Sequence, residues 1–299
     1  MTINRSLTPA LLEPGIKRVF GLVRDQHPME WTELFEQLGS DRSFEEYQGL
    51  AGFGLVPTKT ESGPVSFDDI VNGFKTTAIN LTYALGFKVP EEMIEDELYG
   101  QIMKLPKELA QSVIDTIETV AANVYNRAFN ASFTFGDGSA LCVNDHALEG
   151  GGTASNIPTT PADLSETSFE QGLIDIGNFV NGRNRKRKFR AMKLLHSIND
   201  DYTAKKILGS AQEPETANNA INPAQGILPQ GHSVNHFFTN TDDWFIRTNA
   251  DGLVCQKRKW PADLQRDNDF SSGDMLMKTR FRVAFTAYDW RAIYGNAGA

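Results

Sequence analysis

Residues 46–64 read EYQGLAGFGLVPTKTESGP and residues 79–89 read INLTYALGFKV. How these two stretches pair decides the fold. In the first, Gly49, Gly52 and Gly54 alternate with Leu50, Phe53 and Leu55. A polar turn follows over 57–64, bounded by Pro57 and Pro64, and such residues favour turns. In the second stretch Ile79, Leu81, Tyr83, Leu85, Phe87 and Val89 occupy every second position, the period of a half-buried strand. Read together, they predict one extended β-hairpin over 46–89, far longer than the usual strand of about 5–6 residues. A two-stranded ribbon alone is marginal in water, so its apolar face needs a cover. Another subunit is the natural one.

Upstream, Leu11, Leu12, Ile16, Val19 and Phe20 suggest a short amphipathic helix broken near Pro14 and Gly15. The polar stretch around His27–Trp31 has little to bury by itself and reads as an arm lying along something else. Downstream, Pro90 stops the strand, and Glu91 and Glu92 favour the first turn of a helix. Ile94, Leu98, Ile102 and Leu105 keep helical spacing, and Pro106 is expected to break it. A second helix is expected from about 107 to 129, with Leu109, Val113, Ile117, Val120, Val124 and Ala128 as its buried stripe. A capping box at Thr167–Glu170 predicts a third helix ending near Gly182, and a fourth should cover 200–208. Short strands are expected at 234–238, 244–248 and 253–260. The last, over 275–287, should have one apolar and one basic face.

The 299 residues carry 29 Lys+Arg against 38 Asp+Glu, a net charge of −9, with 40% apolar and 22% charged residues. That excludes a disordered chain and argues against a basic reader of nucleic-acid sequence. Phe (19) and Gly (25) are abundant, whereas His (5) and Cys (2) are scarce, so residues of shape and packing outnumber those of chemistry. Cys142 and Cys255 read as buried free thiols. No apolar run suits a signal peptide or a membrane helix, which places the chain in a soluble, reducing compartment.

Signatures of phosphate loops, zinc proteases, nucleophile elbows and dinucleotide folds are absent. Gly150–Gly152 lacks the lysine of a phosphate loop and reads as a tight bend. Cys142, Asp145 and His146 fall within five residues, but triad members normally converge from separate elements, and one Cys with one His is short of a structural zinc set. A hydrogen-bonded loop histidine is the better reading. We therefore expect no catalytic, cofactor-binding or metal-ligating residues. The run GRNRKRKFR (182–190) holds six cations, Arg183, Arg185, Lys186, Arg187, Lys188 and Arg190. It reads as a solvated connection, as a salt-bridging surface toward another subunit, or as a sequence-blind contact with nucleic acid.

Four passages in order carry a resemblance: AGFGLVP (51–57), VAANVYNRAFN (120–130), LCVNDHALEGGGTASN (141–156) and DWRAIYG (289–295). The chain resembles the major capsid (head) proteins of tailed double-stranded DNA bacteriophages, closest to the Mu-like major head subunit group. The resemblance implies an α+β capsid fold: N-terminal arm (1–45), extended hairpin loop (46–89), peripheral domain with a spine helix (90–189), axial domain (190–269), and return strand and tail (270–299). It implies a structural protein, not an enzyme and without cofactors, that assembles into an icosahedral shell around packaged DNA. It also implies a virion location, with assembly in the host cytoplasm. Expected partners are copies of itself as pentamers and hexamers, a portal, a separate scaffold, decoration proteins, and packaged DNA contacted non-specifically, with no membrane. Candidate subunit contacts are Glu30, Trp31 and Glu33 in the arm, Lys59 and Glu61 at the hairpin tip, the six cations of 183–190, and Trp290 and Arg291 in the tail. Two alternatives stand beside this reading: an encapsulin-like compartment, and a cytoplasmic enzyme using Asp145 and His146.

Overall fold

The computed structural model describes residues 8–96, 99–212, 221–269 and 271–299, and the side chains from residue 13 onward. Leu11, Leu12 and Leu98, expected on helical faces, therefore lie outside the described side chains. In chain order the elements are α1 (Thr8–Gln26), α2 (Trp31–Leu34), β1 (Glu36–Gly39), β2 (Phe44–Leu50), β3 (Asn72–Ile79), β4 (Leu81–Val89), α3 (Glu91–Glu95), α4 (Tyr99–Ile102) and α5 (Leu105–Asn126). They continue with β5 (His146–Ala147), β6 (Thr153–Ala154), α6 (Glu166–Gly177), β7 (Ala191–His196), α7 (Asp201–Gly209), β8 (His232–Val234), β9 (Trp244–Thr248), β10 (Leu253–Asn268), β11 (Met275–Ala287) and β12 (Ile293–Asn296). The described chain forms two compact units. One comprises residues up to Phe44, Ile79–Ala121 and Cys255–Phe285; the other comprises Glu45–Ala78, Ala122–Val254 and Thr286–Ala299. No described helix is long and apolar enough to cross a membrane.

The first unit is built on a four-stranded sheet in the order β1-β10-β11-β4. β11 is the strand with an apolar and a basic face: Met275, Met277, Phe281 and Val283 are buried, while Lys278 and Arg280 are exposed. Its neighbour is a correction to the predicted hairpin. β4 pairs antiparallel with β11, Val89 opposite Met275 and Leu81 opposite Val283, so residues 81–89 are not the second hairpin strand. The alternation was read correctly as a strand, but periodicity carries no information about which strand lies beside it. β10 also runs past its expected end at Trp260, because Ala262 and Leu264 continue the buried alternation beyond Pro261.

Two helices differ from expectation for physical reasons. α1 is continuous through Pro14; Ile16 and Phe20, one turn apart, are buried on one face of it, and that packing outweighs the lost hydrogen bond. α5 starts at Leu105, with Pro106 in its first turn, where the missing N–H would have had no helical acceptor. Pro106 therefore opens this helix. Within this unit its buried face is Leu109, Ala110, Val113, Ile114, Ile117 and Ala121. Val120 and Val124 are only half-buried, because the true stripe drifts with the 3.6-residue period. Trp31 packs edge-on against Trp260 and Phe285, at ring distances of 6.4 and 5.5 Å, and its backbone N–H donates to the buried Glu118 carboxylate at 2.9 Å.

The second unit holds the sheet β12-β9-β7-β8. β7 pairs antiparallel with β9 and parallel with β8, and β12 closes the other edge against β9. Packed on it are Phe169 and Ile176 of α6 and Ala204 and Ile207 of α7, with Leu194, Trp244, Ile246, Trp290 and Tyr294. The helix cap lies two residues earlier than expected: Ser165 and Ser168 form the reciprocal cap of α6, and Asn178, not Gly182, ends it. Serine serves at the third helical position here because its hydroxyl accepts the Ser165 N–H at 2.9 Å. Cys142 and Cys255 are buried and free, and burial pushes both thiols up, Cys255 to about 12.

Candidate assembly surface

The hairpin has a shorter base than expected and a longer, irregular crown. β2 and β3 form a two-stranded ribbon, and the chain between them, 51–71, has no regular strand or helix. Gly73 is needed for the ribbon, since a Cβ there would lie 2.6 Å from the Gly49 carbonyl oxygen. Lys75 pairs with Glu46 across it at 2.6 Å. The crown closes at its base through the Ala51 N–H on the Val71 carbonyl, 3.0 Å, and turns at its tip through the Gly63 N–H on Thr60, 3.0 Å.

The crown carries its apolar side chains outward. Phe67 is 96% exposed and Val56 94%, and Leu50, Phe53, Leu55 and Val65 are all exposed. In the first unit, Leu81 and Leu85 of β4 are exposed as well. Scattered apolar residues on a surface are ordinary, but a contiguous run marks an interaction site. Burying these six side chains, five of the crown and Leu50 at the end of β2, would contribute on the order of 10 kcal/mol per copy before the cost of ordering and association.

A clasp holds the crown. The Asp68 carboxylate accepts the Gly54 N–H at 2.5 Å and the Arg183 guanidinium at 2.7 Å, and Arg183 also donates to the Asp69 carbonyl. The Gly54 hydrogen bond, then Arg183, hold the Asp68 carboxyl below the usual range. Arg183 sits on a tight turn bridged by Val180 and Lys186, with Asn184 at φ 55°. The expected basic run therefore divides. Arg183 is engaged within its own chain, Lys186 donates to Asn178 at 3.0 Å, and Arg187, Lys188 and Arg190 are exposed while Arg185 is half-buried.

The other candidate contacts separate by burial. Lys59, Glu61 and Glu33 are exposed and Glu30 is half-buried. Three of the candidates are buried within the chain itself. Trp31 is 1% exposed in its own unit's core. Trp290 and Arg291 are buried too: the guanidinium lies 4.5 Å over the indole, donates to the Val180 carbonyl at 2.7 Å, and approaches Glu149 at 3.7 Å. Their amphipathic chemistry, read as contact chemistry, serves the interior.

His146 stacks on Trp290 at 4.8 Å and 5°. Its Nδ1 meets Asp137 at 2.6 Å and its Nε2 meets Asn156 at 3.1 Å. Both ring nitrogens are occupied and the side chain is buried, as expected of a structural loop histidine. Burial works against the Asp137 charge, but the bonds from His146 and the Ser139 N–H hold its carboxyl below the usual range. The partner is Asp137, nine residues away, and not the exposed Asp145. Nothing in the local sequence pointed to it.

The family described as phage capsid protein matches residues 75–296, about three quarters of the chain. The chain belongs to the phage capsid protein family. Among solved structures, this capsid protein is similar to the Microbacterium phage Oxtober96 chain at 13% identity, covering 91% of each chain with a TM-score of 0.51. It is also similar to the procapsid of bacteriophage JBD30 at 12% identity, covering 99% of this chain and 77% of that one, TM-score 0.53. The virus-like particle of Pyrococcus furiosus is similar at 11% identity, covering 94% and 97%, TM-score 0.53. At such identities these likenesses show the shared fold, that of tailed-phage capsids. No curated protein matches by sequence. The capsid protein is a structural component of the virion head shell, formed by self-assembly, and its family is not one of enzymes. The fold alone is shared with the virus-like particle; the family match disfavours the compartment alternative.

Proposed function

We propose that the 51–71 crown and the β2–β3 ribbon lie on a neighbouring copy of this chain and that this contact closes the shell. The observation that supports it is the outward run of apolar side chains, Leu55, Val56 and Phe67 foremost, on a loop whose base is clasped by Asp68 and Arg183. An anchored loop loses less freedom on docking, which favours association. Lys59 and Glu61 at the tip, and Glu30 and Glu33 in the arm, supply charge around the apolar contact. Lys186, Arg187, Lys188 and Arg190, with Arg185, meet carboxylates of a neighbouring copy, which carries a net charge of −9.

In this reading residues 1–45 act as the arm, 46–79 as the overlying hairpin, 80–189 with 270–299 as the peripheral domain, and 190–269 as the axial domain. The division by role differs from the division by packing, since β12 of the tail joins β9. Copies gather as pentamers and hexamers in the host cytoplasm, with portal, scaffold and decoration proteins as further partners. Contact with the enclosed double-stranded DNA is non-specific. The combined variant Leu55→Ser, Val56→Ser and Phe67→Ser tests the proposal: the subunit should fold, since all three side chains are exposed, and the yield of shells should fall by about tenfold or more, given the apolar area lost from the contact. Shells of unchanged yield and stability would refute it.

A further inference from the structure

Away from the assembly surface, β7, β8 and the start of α7 bring together three metal-binding side chains, His196, Asp201 and His232. β7 and β8 are parallel, with Leu194 opposite His232 and His196 opposite Val234. Alternate residues share a face of a sheet, so both imidazoles project to the same side. His196 Nε2 and His232 Nδ1 lie 3.3 Å apart. The other ring nitrogen of His196 is 2.8 Å from the Ser197 carbonyl oxygen. A carbonyl only accepts, so Nδ1 carries the proton and Nε2 presents a lone pair. That is the tautomer and the backbone partner usual for a metal-ligating histidine.

Asp201 follows His196 by five residues and opens α7. Its Oδ2 takes the Lys205 ammonium at 2.5 Å. Its Oδ1 is buried with no hydrogen-bond partner, an arrangement that costs stability unless something satisfies it. Ligand atoms of all three residues lie within 4.8 Å of one another. Two nitrogens bound at about 2.0–2.1 Å to one tetrahedral ion stand roughly 3.3–3.4 Å apart, the separation found here. The Asp201 carboxylate supplies the third ligand atom of the group.

We propose that His196, His232 and Asp201 form a binding site for a divalent transition-metal ion, tying β7, β8 and the start of α7 together. Two imidazoles and one carboxylate suit a zinc-like ion, whereas calcium and magnesium take oxygen-rich sets. Water fills the remaining position. The competing arrangement is a plain N–H···N bond between the two histidines, with Asp201 Oδ1 left unpaired. The site does not depend on how copies contact one another.

The test is calorimetric titration of Zn²⁺ into the chelator-treated full chain. The expected result is one Zn²⁺ per chain, with affinity lowered by about tenfold or more in His232→Ala and in Asp201→Asn. The control His27→Ala, at an exposed position, should bind as the parent does. Thermal unfolding should shift upward with Zn²⁺ in the parent and not in the two variants. No binding, or equal affinity in parent and variants, would overturn the proposal. If either variant fails to fold, Co²⁺ added to the parent decides: a ligand-field spectrum of a four-coordinate nitrogen–oxygen set supports the site, and the spectrum of the free aqueous ion overturns it.

Discussion

Glu118 is the buried acid of α5, facing the Trp31 N–H. Burial raises its carboxyl from the ordinary 4.5 to about 7. Between those values the folded chain binds a proton that the unfolded chain has released, so stability falls as pH rises from about 4.5 to about 7 and levels off above. The effect is up to about 3 kcal/mol. In Glu118→Gln this dependence should flatten, as read from urea midpoints across that window; an unchanged slope would show that Glu118 does not cause it. His146→Ala should cost about 2–4 kcal/mol by the same measurement, since it removes a stacked ring and takes one hydrogen-bond partner from Asp137 and one from Asn156. At this scale the sequence was least legible. His146 was readable as a structural residue, but Asp137 was not readable as its partner. Trp31, Trp290 and Arg291 looked like surface anchors because large amphipathic side chains serve cores and interfaces with the same chemistry. His196, Asp201 and His232 escaped notice because the two histidines are 36 positions apart in the chain and no short spacing links them.

Elements were more legible than their neighbours. The alternation over 79–89 and 275–287 located two strands, and the apolar period after residue 107 located α5. What pairs with what is a long-range property, so β4 was assigned to a hairpin whose second strand is β3. Pro106 was read as a breaker, since proline is a strong interior breaker and a good starter, and only the helix boundary distinguishes the two. Pro106 is itself buried, so Pro106→Ala should lower stability by about 1–2 kcal/mol, through a freer unfolded chain and the ring atoms removed. A loss above about 3 kcal/mol, the size of breaking a helix, would show that Pro106 does more than open it. The clasp permits a sharper test of the crown. Arg183→Ala should leave the subunit folded, because the Arg183–Asp68 pair is partly exposed and such pairs contribute little to stability. It should speed proteolysis within 51–71 of the unassembled subunit. An unchanged cleavage rate would mean that the clasp does not order the crown.

For the whole molecule, four short passages in the right order made the capsid fold legible, where no single motif did. The scarcity of His and Cys and the abundance of Gly and Phe fit a chain that works through shape. The net charge of −9 excludes a basic reader of DNA but not a container for it. What sequence alone left open was how the uncovered apolar surface is disposed. The structure places it on an anchored crown, and the account rests on that crown being covered by a second copy. Electron cryomicroscopy of shells assembled from the purified chain tests this most directly. The account predicts closed shells in which Leu55, Val56 and Phe67 of each copy are buried against a neighbour. Shells in which the 51–71 crown projects into solvent, or a chain that remains a 33.1 kDa monomer with these side chains exposed, would contradict it.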